Sequence, residues 1–295
     1  MPSAQGPDAT RVKPRRPQAS PLDRGMGLLI VPLLAFLLVF YAYPVASMLW
    51  RSFSDPSLSL QHYQSVFSEP VILRVFWITL QIAAVVTLIT LLLGYPLAYV
   101  IATTSPTVAK ILLGLVLVPF WISILVRSYA WMVLLGRQGM INNVLMMVGI
   151  TDEPVRLLNT TLATYVGMIH VLLPFMVLPL YSALKGIDQR LALAAQGLGA
   201  RPLPVFRHII LPLSMPGVGA GCLLVFVLAL GFYVTPALLG GRRDVMISVL
   251  IGNYVDLFDW GLASALAAVL LVSTLLLVAV MDRFLNLDKI FGVER

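Results

Sequence analysis

Six long apolar runs decide what this chain can be. They lie at about Gly27–Leu49, Leu80–Ile101, Ile111–Met132, Leu162–Leu184, Gly217–Leu239 and Gly261–Met281. A helix needs about 20 apolar residues to cross the hydrocarbon core of a bilayer. The expected fold class is therefore all-α integral membrane, with six transmembrane helices. Composition agrees: 59% of residues are hydrophobic and 11% charged, against about 25% charged in an ordinary soluble domain.

The first run is too long for the apolar core of a signal peptide and no small-residue cleavage site follows it, so it reads as a retained span. Residues 1–25 are rich in Pro and Ser and carry Arg11, Lys13, Arg15, Arg16 and Arg24. They hold too little apolar surface to fold, and read as a disordered cytoplasmic tail. Residues 26–285 form the six-span region, and 286–295 a C-terminal cytoplasmic tail.

Charge sets the expected orientation. With both termini inside, thirteen of the 20 Lys and Arg face the cytoplasm; Arg51, Arg74, Arg137, Arg156, Arg242 and Arg243 face outward, and Arg127 lies within or near a span end. Basic residues gather in cytoplasmic loops, so termini inside is the favoured topology. The net charge of +7 follows from the same rule and does not indicate nucleic acid, because no soluble face interleaves basic and aromatic residues. Cys222 is the single cysteine. It sits in an apolar run, reads as a small buried hydrophobe, and has no cluster of His, Cys or carboxylates around it to hold a metal.

Several runs contain proline: Pro96, Pro119, Pro174, Pro179 and Pro236. Proline removes a helical hydrogen bond and kinks the rod; so many in one bundle suggest helices that enclose a space and move. Between the spans, Gly139–Val148 has a helical spacing suited to lying along the membrane surface. Asn253–Trp260 sets aromatics and two carboxylates beside the last span.

The loop of about residues 185–213 has the most local information. Asp188 is placed to cap a short helix. Leu191, Ala194, Ala195 and Leu198 then fall on one narrow apolar face. Gly199 can end that helix in a left-handed conformation. Pro202 suits the first turn of a second short helix, with Phe206 as an apolar knob and Arg201, Arg207 and His208 facing water. Pro212 and Pro216 are expected at the re-entry into the membrane. From the residues alone this is a structured loop, or a docking knob for a cytoplasmic partner.

The spacing Leu193-Ala194-Ala195, three residues, Gly199, nine residues, Ile209-x-Leu211-Pro212 resembles the cytoplasmic signature of binding-protein-dependent ABC transporter permeases, and Leu198-Gly199-Ala200 matches within it. That family places glutamate where this chain has Leu193, which puts a charge-based contact there in doubt. VPFWISILVRSYAW, LLPFMVLPLYSAL and GFYVTPALLGG are similar to the permease of the spermidine/putrescine class. The resemblance implies a type I ABC importer permease (MetI-like) fold in a bacterial inner membrane. It implies two ATPase subunits docked on Leu193, Ala194, Ala195, Gly199, Ala200, Arg201, Phe206, Ile209, Leu211 and Pro212. It also implies a second permease subunit in a heterodimer, membrane lipid around both, and a periplasmic substrate-binding protein. ATP and Mg are expected on the ATPase subunits and no cofactor in this chain, in which no G-x-x-x-x-G-K-[ST] phosphate loop occurs.

For a polyamine, the path needs aromatic faces or carboxylates to replace ammonium hydration. The candidate lining is Trp121, Arg127, Tyr129, Trp131, Phe232, Tyr233 and Asp256. Every Asp and Glu lies in the tail, a loop or a span end, so the partner permease is left to supply buried acids. Arg127 would repel a cation, and an opine or amino-acid-like solute remains the alternative. His170 reads as a packed or hydrogen-bonded residue within a span. A stand-alone channel or secondary transporter would need a selectivity ring, mid-membrane ionisable residues or an internal repeat, none of which is evident. A membrane enzyme would need an acid/base or metal constellation that three scattered histidines do not provide.

Overall fold

The computed structural model describes residues 30–55 and 57–285. The two expected tails, 1–25 and 286–295, lie outside the described residues. Every regular element among the described residues is helical. Residues up to Trp50 and residues from Arg51 onward form two units. The first holds most of α1, Ile30–Ser54, a helix with a π-helical turn at Leu38–Ala42.

The second unit continues with α2 (Gln61–Ser68), α3 (Pro70–Thr103), α4 (Pro106–Trp121), α5 (Ile124–Leu135) and α6 (Met140–Met147). It ends with α7 (Thr161–Gly186), α8 (Gln189–Gly197), α9 (Pro202–Leu230), α10 (Val234–Leu239), α11 (Ile247–Asp256) and α12 (Trp260–Leu285). Five helices, α1, α3, α7, α9 and α12, are long and apolar enough to cross a membrane; α4 and its continuation through Met147, bent by 97°, make a sixth when the pair is counted as one broken span.

Two expected spans are corrected. The run Ile111–Met132 is not one rod: α4 stops at Trp121, Ile122 and Ser123 adopt extended ψ angles of 130° and 139°, and α5 restarts at Ile124. Pro119, three residues upstream, takes a donor out of the last turn. The span expected at Gly217–Leu239 starts earlier and stops earlier. Pro202 opens a helix that runs on through a π-helical turn at Phe206–Ile210 to Leu230; Gly231–Tyr233 then breaks it before α10. Pro212 and Pro216 therefore lie inside that helix. Membrane helices accept such prolines where neighbours satisfy the freed groups.

The core sits where α7 packs against α3 and α9, which also touch each other. Ile82, Val86 and Ile101 of α3, Met168, Leu172, Met176 and Leu180 of α7, and Val225 and Ala229 of α9 are buried there. Lipid gives no hydrophobic drive to hold helices together, so close packing must. At Gly217 a Cβ would sit 2.5 Å from that of Ala183, and at Gly221 it would meet Met176 Sδ at 2.7 Å. These glycines let α9 lie against α7. Buried hydroxyls bond within their own helices: Thr79, Thr87 and Thr90 donate to carbonyls four residues back at 2.8, 2.7 and 2.6 Å. Thr79 Oγ1 also accepts from the Ile247 amide at 2.8 Å, tying the start of α11 to α3.

The segment Gly139–Val148 does more than lie on a surface. Its Asn142 is fully buried: Nδ2 donates to the Gly136 and Val155 carbonyls at 2.9 and 3.0 Å, and Oδ1 accepts from the Val155 amide at 2.9 Å. The amide thereby clamps the α6–α7 loop onto the end of α5.

Candidate functional site

The loop between α7 and α9 folds as a capped, self-contained helix. Asp188 Oδ1 accepts from the Arg190 amide at 2.9 Å at its start. At its end Gly199 has φ +89°. The Gly199 amide donates to Gln196 O at 2.9 Å and the Ala200 amide to Ala195 O at 3.0 Å. This pair of bonds is a Schellman cap, for which glycine is preferred because a side chain costs free energy at positive φ. No atom lies within 4 Å of the Cβ position at Gly199, so its requirement is conformational and not one of space.

The α8 surface is bare. Leu191 is exposed, Leu198 is 91% exposed, and Leu193 is 64% exposed while also lining a cavity of about 270 Å³. Tyr99, Ala102, Leu184, Val205 and Ile210 form much of the rest of that cavity, under α8 and against the ends of α3, α7 and the start of α9. Leu193 therefore stands at the edge between α8 and the spans. Ala194 is exposed, Ala195 and Ala200 partly so, and Arg201, Arg207 and His208 face solvent.

Phe206, expected as an apolar knob of the loop, packs inward against α3. Its ring meets Tyr95 and Tyr99 of α3 edge-on, with centroids at 5.9 and 5.8 Å. Tyr95 OH lies 2.8 Å from Ser214 Oγ of α9, which itself donates to Leu211 O at 2.9 Å. Continuing α9 down to Pro202 turns Phe206 inward, so it anchors the loop to the bundle. Ile209 is partly buried, and Leu211 and Pro212 belong to α9.

The candidate path residues divide. Arg127 and Phe232 line one cavity of about 230 Å³, together with Phe120, Phe175 and Leu228. The Arg127 Nε is buried without a hydrogen-bond partner. Trp131 is packed aside: its Nε1 donates to His170 Nδ1 at 3.2 Å, the rings edge-on at 5.8 Å. Trp121 is 83% exposed and Tyr129 is exposed on α5, outside that cavity. Tyr233 lies on Gly252, where a Cβ would sit 2.7 Å from its ring. Asp256 is exposed at the end of α11. Phe120 and Phe175, their rings tilted by 52° with centroids at 4.9 Å, complete the Arg127 cavity and were missing from the candidate set. The sequence gives one hint of Phe175, in LLPFMVLP, where it follows a helix-breaking Pro174.

Residues 91–287 match the model of the family described as binding-protein-dependent transport system inner membrane component, and the chain belongs to that family. It is a multi-pass inner-membrane permease.

Among its relatives, the spermidine/putrescine transport system permease protein PotB of Haemophilus influenzae is 38% identical, over 83% of this chain and 81% of that one. Its Escherichia coli (strain K12) namesake is 35% identical, over 85% and 94%. The inner membrane ABC transporter permease protein YdcU of the same organism is 31% identical, over 73% and 76%. A bacterial alginate ABC transporter in complex with an alginate-bound periplasmic protein has a chain of like fold, with TM-score 0.75 at 20% identity over 89% of this chain and 94% of that chain. The inward-facing MetNI methionine ABC transporter gives 0.55 at 18% identity over 77% and 100%. These structural likenesses agree with the expected type I importer permease fold.

Proposed function

We propose that this chain is one of two different permease subunits of an ATP-driven importer for a polyamine of the spermidine/putrescine type. The observation that carries the substrate class is the match to the two PotB permeases at 38% and 35% identity across most of both partners. An extracytoplasmic binding protein delivers the solute. Two ATPase subunits, which hold ATP and Mg, grip α8 of this chain and its counterpart in the other permease. Both termini face the cytoplasm, as the distribution of basic residues favours. When the ATPase pair closes on ATP, α8 moves with it. Phe206, held between Tyr95 and Tyr99, passes that motion to α3 and α9. The ammonium groups meet the rings of Phe120, Phe175 and Phe232, with carboxylates coming from the partner permease.

Arg127 favours a second reading. A guanidinium opening on an aromatic cavity suits a solute bearing both amine and carboxylate, as an opine or amino acid does. Uptake into proteoliposomes holding the whole complex separates the two. Saturable, ATP-dependent uptake of spermidine or putrescine, not displaced by amino acids or opines, supports the first. Uptake of a carboxylate-bearing amine alone overturns it in favour of the second.

A further inference from the structure

The end of α7 remote from α8, roughly 39 Å away along its 26 residues, carries a second surface built from two loops. One loop precedes α7 and contains Arg156 and Asn159, which has φ 57°. The other, Gly240–Asp244, leaves α10 and presses on it: a Cβ on Gly241 would sit 2.6 Å from Asn159 O. Thr161 Oγ1 donates to Asp244 Oδ1 at 2.6 Å and pins the two together.

Between them lies an open cavity of about 790 Å³ bordered by Arg156, Arg242 and Arg243. A neighbouring cavity of about 310 Å³ shares Arg156 and adds Arg137. All four arginines are exposed, and among the described residues none is in an ion pair. Asp244 is the one carboxylate in these walls, and Thr161 holds it. Asp152 and Glu153 lie earlier in the loop and border neither cavity.

On the importer reading above, on which this inference rests, this end faces the delivered solute, and the solute is a cation. Four bare guanidiniums at the entrance repel it. Basic residues are also sparse outside the membrane as a rule, so a cluster there needs an occupant. A guanidinium presents a planar fork that pairs bidentately with carboxylate or phosphate. Leu135, Leu157 and Leu158 line only the smaller cavity; the larger one, which holds three of the four arginines, is lined by Arg, Asn, Thr, Gly and Asp, without the apolar flank that a lipid's acyl chains need beside the headgroup. A protein surface bearing carboxylates needs none.

We propose that Arg137, Arg156, Arg242 and Arg243 form the seat for an acidic strip on the extracytoplasmic binding protein. Its carboxylates cover the guanidiniums and remove the repulsion at the moment a polyamine is released. The complex should therefore dock more tightly at low salt, and docking should set the concentration dependence of stimulation and not its ceiling.

The test uses the complete importer in nanodiscs with its own binding protein, loaded with spermidine. The binding-protein concentration giving half-maximal ATPase stimulation is measured from low to high NaCl. Reversing Arg156, Arg242 and Arg243 together to Glu should raise it about tenfold or more at low salt and flatten its salt dependence, with the basal ATPase rate kept, since rim charges act mainly on association. Acid-to-Lys changes on the binding protein should restore it. Arg74→Glu, a charge reversal outside both cavities, should shift it less than about twofold.

An unchanged half-maximal concentration and salt slope in the triple variant overturns the proposal. So does a variant effect that depends on anionic lipid content or is mimicked by inorganic phosphate, which would make the occupant a headgroup or a free anion. If the unsubstituted complex shows no stimulation with any ligand, the importer reading falls and takes this inference with it.

Discussion

The two ends of α7 are built in opposite ways. At one end α8 is a single contiguous segment whose cap, helix and glycine joint follow one another within about a dozen residues. At the other, residues 137–160 and 240–244 come together only because the bundle brings them there. The first presents exposed leucines and alanines; the second presents arginines. A local surface with a rigid, capped frame suits the transmission of force. A composite polar surface suits a partner that must bind and leave.

The largest expected effect breaks what both ends share. Gly217→Val puts a branched side chain where even a Cβ is 2.5 Å from Ala183. Overpacking of this kind costs about 1–3 kcal/mol, so the purified complex should show a clearly lower thermal transition in detergent, and both ATPase and binding-protein docking should fall together. Retained stability would mean that α7 and α9 separate easily, and that the two ends are not rigidly joined.

Gly199→Val should separate them. A side chain there meets no atom, so only the left-handed backbone is strained, by roughly 1–2 kcal/mol. The spans should insert and the complex assemble, while uptake per ATP hydrolysed drops about tenfold, a factor that equals about 1.4 kcal/mol. Normal coupling in this variant would contradict a rigid α8.

Phe206→Ala should have a middling effect. It removes two edge-on aromatic contacts, each worth about 0.5–1.5 kcal/mol beyond area burial. ATPase subunits should still co-purify, with stimulation by loaded binding protein reduced. If instead co-purification is lost, Phe206 acts outward after all.

The smallest effect belongs to Leu193→Glu, which restores the acid of the family signature at a site 64% exposed. An exposed charge pair contributes about 0–1 kcal/mol. ATPase affinity at low salt should change less than about fivefold, with a salt dependence different from that of the unsubstituted chain.

What the sequence revealed follows the same division. Asp188, Gly199 and the bounds of α8 were legible because capping is a property of adjacent residues. Five of the six expected spans were legible from apolar length alone. The break at Ile122–Ser123 was not, since Ile111–Met132 is uniformly apolar and Pro119 alone does not say whether a helix kinks or stops. The start of α9 was misplaced because Pro202, Pro204, Arg207 and His208 resemble a loop. In fact Pro202 occupies a first-turn position, where its missing amide costs nothing, and the basic side chains leave from the exposed side. The inward packing of Phe206 on Tyr95 and Tyr99 was hidden for the same reason. The larger arginine-lined cavity was invisible because its walls lie more than 80 residues apart in sequence, at Arg156 and Arg242.

The central claim is that α8 is the surface the motor grips, and site-specific cross-linking tests it most directly. In a chain with Cys222→Ser, a single cysteine at Leu198, 91% exposed on α8, or at Arg242 is joined to its neighbours in the assembled complex by a short bifunctional reagent. The account predicts that Leu198→Cys links to an ATPase subunit and Arg242→Cys does not. A Leu198→Cys that links to no ATPase, or an Arg242→Cys that does, would contradict it.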